Sequence, residues 1–221
     1  GIVMVRTIKV AAMTALLVVP AAFALAFVMR FLLERRGALI MQIVLLSLFS
    51  GYLVRIYAWR TILGKQGLLN TFLMWTGLID EPLETLIYSD FAVIVTLSGL
   101  LLPLAVLPLY SAMLNISKDY LEAARDMGAK RIFILRTVLL PMSMPGLRTA
   151  FAFAFLLSAG DFVTPQLVGG SQSLLIGNVV ADQFRGIGSN WPLGATMAFV
   201  IVVIMLTIYV GVMQTLKLVA R

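Results

Sequence analysis

Runs of about 20 apolar residues, the length that crosses roughly 30 Å of hydrocarbon, recur along this chain and constrain its fold more than any other feature. Lipid offers the backbone no hydrogen-bonding partner, so only helices or a closed barrel can span it. The runs are unbroken rather than alternating apolar and polar, which selects helices. Charge is correspondingly scarce. With 61% of residues apolar, 12% charged and a mean hydropathy of +1.02, the chain lacks the polar residues that cover a soluble domain. The expected fold class is all-α, a polytopic transmembrane helical bundle formed as one domain over residues 1–221.

Five spans are expected, at roughly Thr7–Leu33, Ala38–Leu63, Phe91–Leu114, Pro145–Val168 and Pro192–Leu218. Arg6, Lys9 and Ala22-Phe23-Ala24 also have the outline of a secretory signal with its cleavage site. The apolar run continues past that point through Phe27, Val28, Phe31 and Leu32, so the segment reads as a span. Lys and Arg in short connections set orientation. Arg35, Arg36, Lys118, Arg125, Lys130, Arg131, Arg136, Lys217 and Arg221 fall on one side, which is therefore cytoplasmic. Lys65 and Arg185 face Asp80, Glu81, Glu84, Asp90 and Asp182 on the other, and Arg6 and Lys9 dissent. An outward N-terminus beginning at Gly1 suggests that an earlier span precedes this numbering.

Chemistry is narrowly bounded. There is no cysteine and no histidine, which removes disulfides, thiolates, imidazole bases and the usual zinc sites. No catalytic or metal-binding residue is expected, and no GxxxxGK[ST] phosphate loop occurs, so ATP cannot be held in that way. The formal charge of +7 sits mainly beside apolar runs, as topology signals do, and no nucleic-acid partner is expected.

The stretch over residues 115–141, NISKDYLEAARDMGAKRIFILRTVLLP, is too charged to span. Ser117 is placed to cap a short helix, and Asp119 lies in its first turn, where the dipole favours an acid. Tyr120, Ala124 and Met127 recur at helical spacing as one apolar face. Ala123 and Ala124 keep the helix thin enough for another protein to approach its backbone. Gly128 suits a left-handed helix end, and a second helix from about Ala129 is expected to stop at Pro141. The result is a helix–Gly–helix elbow on the cytoplasmic face.

Glu122-Ala123-Ala124, then Gly128, then Leu140-Pro141 resemble the EAA loop of ABC-importer permeases. Arg55-Ile56-Tyr57-Ala58-Trp59 with Leu63-Gly64 and Gly67 is similar to a stretch of that family's spermidine/putrescine branch. So is Gly160-Asp161-Phe162-Val163-Thr164-Pro165 with Gly169-Gly170. The resemblance implies a type I permease of the bacterial cytoplasmic membrane that does no covalent chemistry. It would couple through Glu122, Ala123, Ala124, Arg125, Asp126 and Gly128 to a cytoplasmic ATPase dimer. ATP and Mg²⁺ would sit on those ATPase subunits, a second permease would complete the pore, and an extracytoplasmic binding protein would deliver the solute. Polyamine is the implied solute, and an amino acid or phosphonate is the alternative.

Ionisable groups at membrane depth are costly unless paired or wet. Asp161 and Arg55 are such groups, and two readings of them stand open. In one, Asp161 is the counter-charge for a cationic solute, and Tyr57 and Trp59 supply cation–π faces. In the other, Asp161 pairs with Arg55 and the aromatics form an interfacial belt. Gly160 and Pro165 bracket Asp161, so the fourth span is expected to break there. Met41, Leu45, Phe49, Met142 and Met144 read as packing residues rather than gates. An ion-coupled secondary transporter would need more carboxylates within the spans and would leave the elbow unexplained.

Overall fold

The structure, a computed structural model, describes residues 2–170, 173–185 and 189–219. Gly1, Arg221 and the side chains of Arg35 and Lys217 lie outside that description. Twelve helical segments follow one another among the described residues. They are α1 (Ile2–Phe27), α2 (Glu34–Phe49), α3 (Tyr52–Leu63), α4 (Leu68–Trp75), α5 (Asp90–Leu114) and α6 (Lys118–Asp126). After these come α7 (Arg131–Ile134), α8 (Leu140–Met142), α9 (Met144–Gly160), α10 (Val163–Val168), α11 (Ile176–Asp182) and α12 (Trp191–Val219). Wider π-helical turns extend α1 over Val28–Leu32 and join α7 to α8 over Leu135–Leu139.

Three segments, Ile2–Leu32, Asp90–Leu114 and Trp191–Thr215, are each long and apolar enough to cross a membrane. Two bent pairs, Arg36–Phe49 with Tyr52–Trp75 and Arg131–Met142 with Met144–Gly160, bring the number to five if each pair is one span. The second expected span is therefore not continuous. Its halves meet at 98° because Ser50 and Gly51 are extended (ψ 128° and 138°), and glycine is a poor helix former. The helix then resumes beyond Gly64, so α4 occupies part of the connection between the second and third expected spans. The fourth span ends at Gly160, and Asp161 is extended before α10 restarts, as its Gly and Pro suggested. Pro141 does not stop its helix. The chain stays helical to Met142 and bends by 73° at Ser143 instead. The π turn just before Pro141 shifts the hydrogen-bond register around a residue that has no N–H to donate.

Helices α1, α5 and α9 pack together as the centre of the bundle. Their contact is lined with alanine: Ala11, Ala15, Ala22 and Ala26 meet Ala105, Ala150 and Ala154, all essentially without exposure. Small residues let backbones approach where lipid removes any hydrophobic drive between helices. Ala22-Phe23-Ala24 thus lies inside a continuous helix. At Gly146 a Cβ would stand 2.6 Å from the Pro108 carbonyl oxygen, so this crossing needs glycine. A second cluster, built on Ile56, Leu63, Val93, Leu97, Leu100 and Val168, joins α3 and α10 to the first half of α5. Pro103 and Pro108 lie within α5, both on its half that joins the first cluster.

The ends of the bundle are pinned by polar contacts. Arg6 forms an ion pair with Asp90 at 3.5 Å, which explains its dissent from the charge rule: an acid from the opposite set neutralises it. Thr7 Oγ1 accepts from the Ile176 N–H at 2.9 Å at the same end. At the other end Arg30 donates to the carbonyls of Met113 (3.2 Å) and Ile116 (3.3 Å). That cation closes the C-terminus of α5, where free carbonyls and the dipole favour positive charge.

Candidate functional site

The elbow is built by local rules. Ser117 Oγ accepts from the Asp119 N–H at 3.3 Å and caps α6. At the far end Ala129 N–H reaches the Ala124 carbonyl (3.0 Å) and Gly128 N–H the Arg125 carbonyl (2.8 Å). This paired pattern needs a left-handed residue between the helices, and Gly128 supplies it at φ +79°. The apolar residues divide differently from expectation. Leu121 and Ala124 are buried against the bundle, whereas Tyr120 is 56% and Met127 81% exposed. Ala124 lies at the edge of the stripe, so packing turns it inward with Leu121. Tyr120, Ala123 and Met127 form the outward face, with Glu122, Arg125, Asp126 and Gly128 also exposed. Ile132 and Phe133 on α7 are exposed as well. Ala124 therefore supports the elbow from within rather than offering a contact.

The second feature is a cleft of about 470 Å³ between the break in the second span and the end of the fourth at Gly160. Tyr52, Arg55, Leu100, Leu104, Gly160 and Asp161 are among its walls. Asp161 is fully used within the fold. Its Oδ1 accepts from the N–H groups of Val163 (2.8 Å) and Thr164 (3.1 Å), capping α10. Its Oδ2 accepts from Thr164 Oγ1 (2.6 Å) and from the Tyr52 hydroxyl. The carboxylate thus clasps α10 to the start of α3.

Arg55 shares the cleft but makes no ion pair with Asp161. It donates from Nη1 to the Leu100 carbonyl at 3.2 Å, beside Pro103, where the α5 hydrogen-bond ladder is interrupted. Arg55 Nε is buried and has no hydrogen-bond partner among the described residues. Tyr57 and Trp59 do not join Asp161. Tyr57 lines a separate outer pocket with Arg60, Lys65 and Tyr88. Trp59 packs against α5, where a Cβ on Gly99 would stand 2.4 Å from its ring. The hydroxyl that Asp161 meets belongs to Tyr52, which the sequence reading missed along with Thr164. Asp161 followed by Thr164 and Pro165 carried a readable capping signal, whereas Tyr52 lies 109 residues away. Among the described residues no group of three or more acids stands as a metal cage.

A bundle with broken spans beside a cleft and an outward-facing capped elbow at one end defines a class of polytopic helical membrane protein. The profile of the family described as "Binding-protein-dependent transport system inner membrane component" matches residues 11–217, and the chain belongs to this family. It is a multi-pass protein of the inner membrane, in a family of transport components rather than enzymes. Among relatives, the spermidine/putrescine transport system permease protein PotB of Salmonella typhimurium is 36% identical over 78% of this chain and 59% of its own length. PotB of Haemophilus influenzae is 37% identical over 81% and 62%. A putative 2-aminoethylphosphonate transport system permease protein, PhnU of Salmonella typhi, is 32% identical over 48% and 36%. The chain spans about three fifths of the length of the PotB relatives it matches.

Proposed function

We propose that this chain is a permease subunit of an ATP-driven importer, forming with a second permease the path for a small solute handed over by an extracytoplasmic binding protein. The observation that carries this reading is the α6 elbow. It turns Tyr120, Ala123 and Met127 outward while its own cap and Gly128 hold its shape. An apolar face ringed by charge on a rigid turn is a docking surface. In this reading its occupant is a cytoplasmic ATPase subunit, which carries ATP and Mg²⁺. Closure of the two ATPase subunits would move the elbow and switch the cleft between its two openings.

A polyamine is the favoured solute, supported by the PotB relatives and by the Tyr52 ring in the cleft wall, a face a cation can meet. One observation supports a different solute: Arg55, with an unpartnered Nε, lines the same cleft and would attract an anionic group. Two experiments test these statements. Tyr120→Glu and Met127→Glu alter exposed side chains, so insertion should persist while co-purification of the ATPase and uptake are lost. Retained ATPase binding in both variants would refute the docking assignment. Uptake of labelled spermidine but not 2-aminoethylphosphonate by the assembled transporter supports the polyamine reading, and the reverse selectivity overturns it.

A further inference from the structure

At the elbow end, a groove of about 690 Å³ opens between the π turn that extends α1, helix α6 and the α7 segment. Its volume falls in the range of small-molecule sites, about 300–1,000 Å³. Phe27, Phe31, Leu121 and Leu139 form its apolar walls, and Arg125 and Arg131 stand in the same lining. Among the described residues neither arginine has an ion pair or a side-chain hydrogen bond. Arg125 projects on the Leu121 side of α6, away from Tyr120, Ala123 and Met127. It therefore belongs to the groove more than to the outward docking face.

The level of the groove matters. Leu32 closes the first candidate span and Arg131 opens the bent pair that leads into the fourth, so the groove lies at the end of the bundle where candidate spans begin and end. Phe27 and Leu139 lie further along those same segments. An arginine pair above an apolar trough matches a molecule with an anionic head and a greasy body. Guanidinium forks bind phosphate oxygens in pairs, and cationic pockets at a membrane surface attract anionic lipids. We propose that this groove binds one anionic phospholipid, its phosphodiester held between Arg125 and Arg131 and its acyl chains lying along Phe27, Phe31 and Leu139. The lipid would brace the elbow against the end of the first span.

The test uses the assembled transporter, purified in detergent and titrated with phosphatidylglycerol or phosphatidylcholine while bound lipids are counted by native mass spectrometry. The wild type should hold phosphatidylglycerol about tenfold more tightly than phosphatidylcholine, and Arg131→Gln should remove about that factor, the size of one charge-assisted contact. Arg131→Lys should fall between. Arg136→Gln, outside the groove, controls for loss of a charge, and matched melting curves control for folding. Equal affinity for the two lipids, or undiminished phosphatidylglycerol binding in Arg131→Gln, overturns the proposal. So does binding that appears only after the ATPase is stripped away, because the groove is then the partner's seat.

Discussion

Removing the Tyr52 hydroxyl probes the clasp between the two broken spans. Tyr52→Phe leaves Asp161 with its three contacts from Val163 and Thr164 and deletes the link to α3. A hydrogen bond to a charged group contributes about 1.5–3 kcal/mol. Tyr52 is 40% exposed in the isolated chain, which puts the expected cost at the lower end, about 1–2 kcal/mol. Asp161→Ala removes all four contacts, including the α10 cap, whose loss alone costs about 0.5–2 kcal/mol. Its total should reach about 3–5 kcal/mol. The double variant should cost little more than Asp161→Ala, giving a coupling of about 1–2 kcal/mol. Unfolding in detergent micelles, followed for the wild type, both single variants and the double, measures that coupling. Additivity within about 0.5 kcal/mol would refute the clasp. Arg55→Gln should not rescue Asp161→Asn, since Arg55 holds the Leu100 carbonyl rather than the carboxylate.

Three further outcomes are expected. Gly128→Val forces a β-branched residue to φ +79°, a strain of about 1–2 kcal/mol that should tilt the elbow and abolish uptake while the protein still inserts; normal transport would refute the assignment. Gly146→Ala puts a methyl 2.6 Å from the Pro108 carbonyl oxygen, and unfolding in micelles should show a loss of about 1–3 kcal/mol from overpacking. Lys65, 2.5 Å from Glu84, holds the Glu84 carboxyl below its ordinary value by hydrogen bond and charge. Because the folded value is depressed, this pair is present at neutral pH and lost as pH falls through that lowered value. An NMR titration of Glu84 should move toward the ordinary glutamate range in Lys65→Gln, and an unchanged midpoint would disprove the pairing.

What was legible in the sequence was what local physics decides. Ser117 and Gly128 announce their helix ends because a cap and a left-handed turn each depend on a few neighbouring residues. Asp161, between Gly160 and Pro165, announced a break for the same reason. The Ser50-Gly51 break was hidden because hydrophobic runs continue on both sides of it, and averaged hydropathy does not register two extended residues. The facing of α6 was only half visible: periodicity marks a stripe, and the bundle decides which edge is covered. Tyr52 meeting Asp161, and Arg55 meeting the backbone near Pro103, are tertiary contacts between distant segments. Charge had suggested pairing Arg55 with Asp161, but each found closer hydrogen-bonding partners in the folded bundle.

Helix α5 takes part in both hydrophobic clusters, and the change comes between Leu100 and Leu101. Pro103 follows that junction closely, so the helix lacks the hydrogen bond that would have reached the Gly99 carbonyl. Leu121, Ala124, Ile134 and Leu139 of the elbow belong to the same cluster as the alanine-lined centre. In the proposed importer, a force applied at α6 would travel up the alanine seam and cross the ladder interruption at Pro108 before reaching the joint at Pro103. Beyond that joint lies the half of the molecule that carries α3, α10 and the outer wall of the cleft. In the proposed importer, a pivot there would convert a small displacement at the elbow into an opening or closing of the cleft.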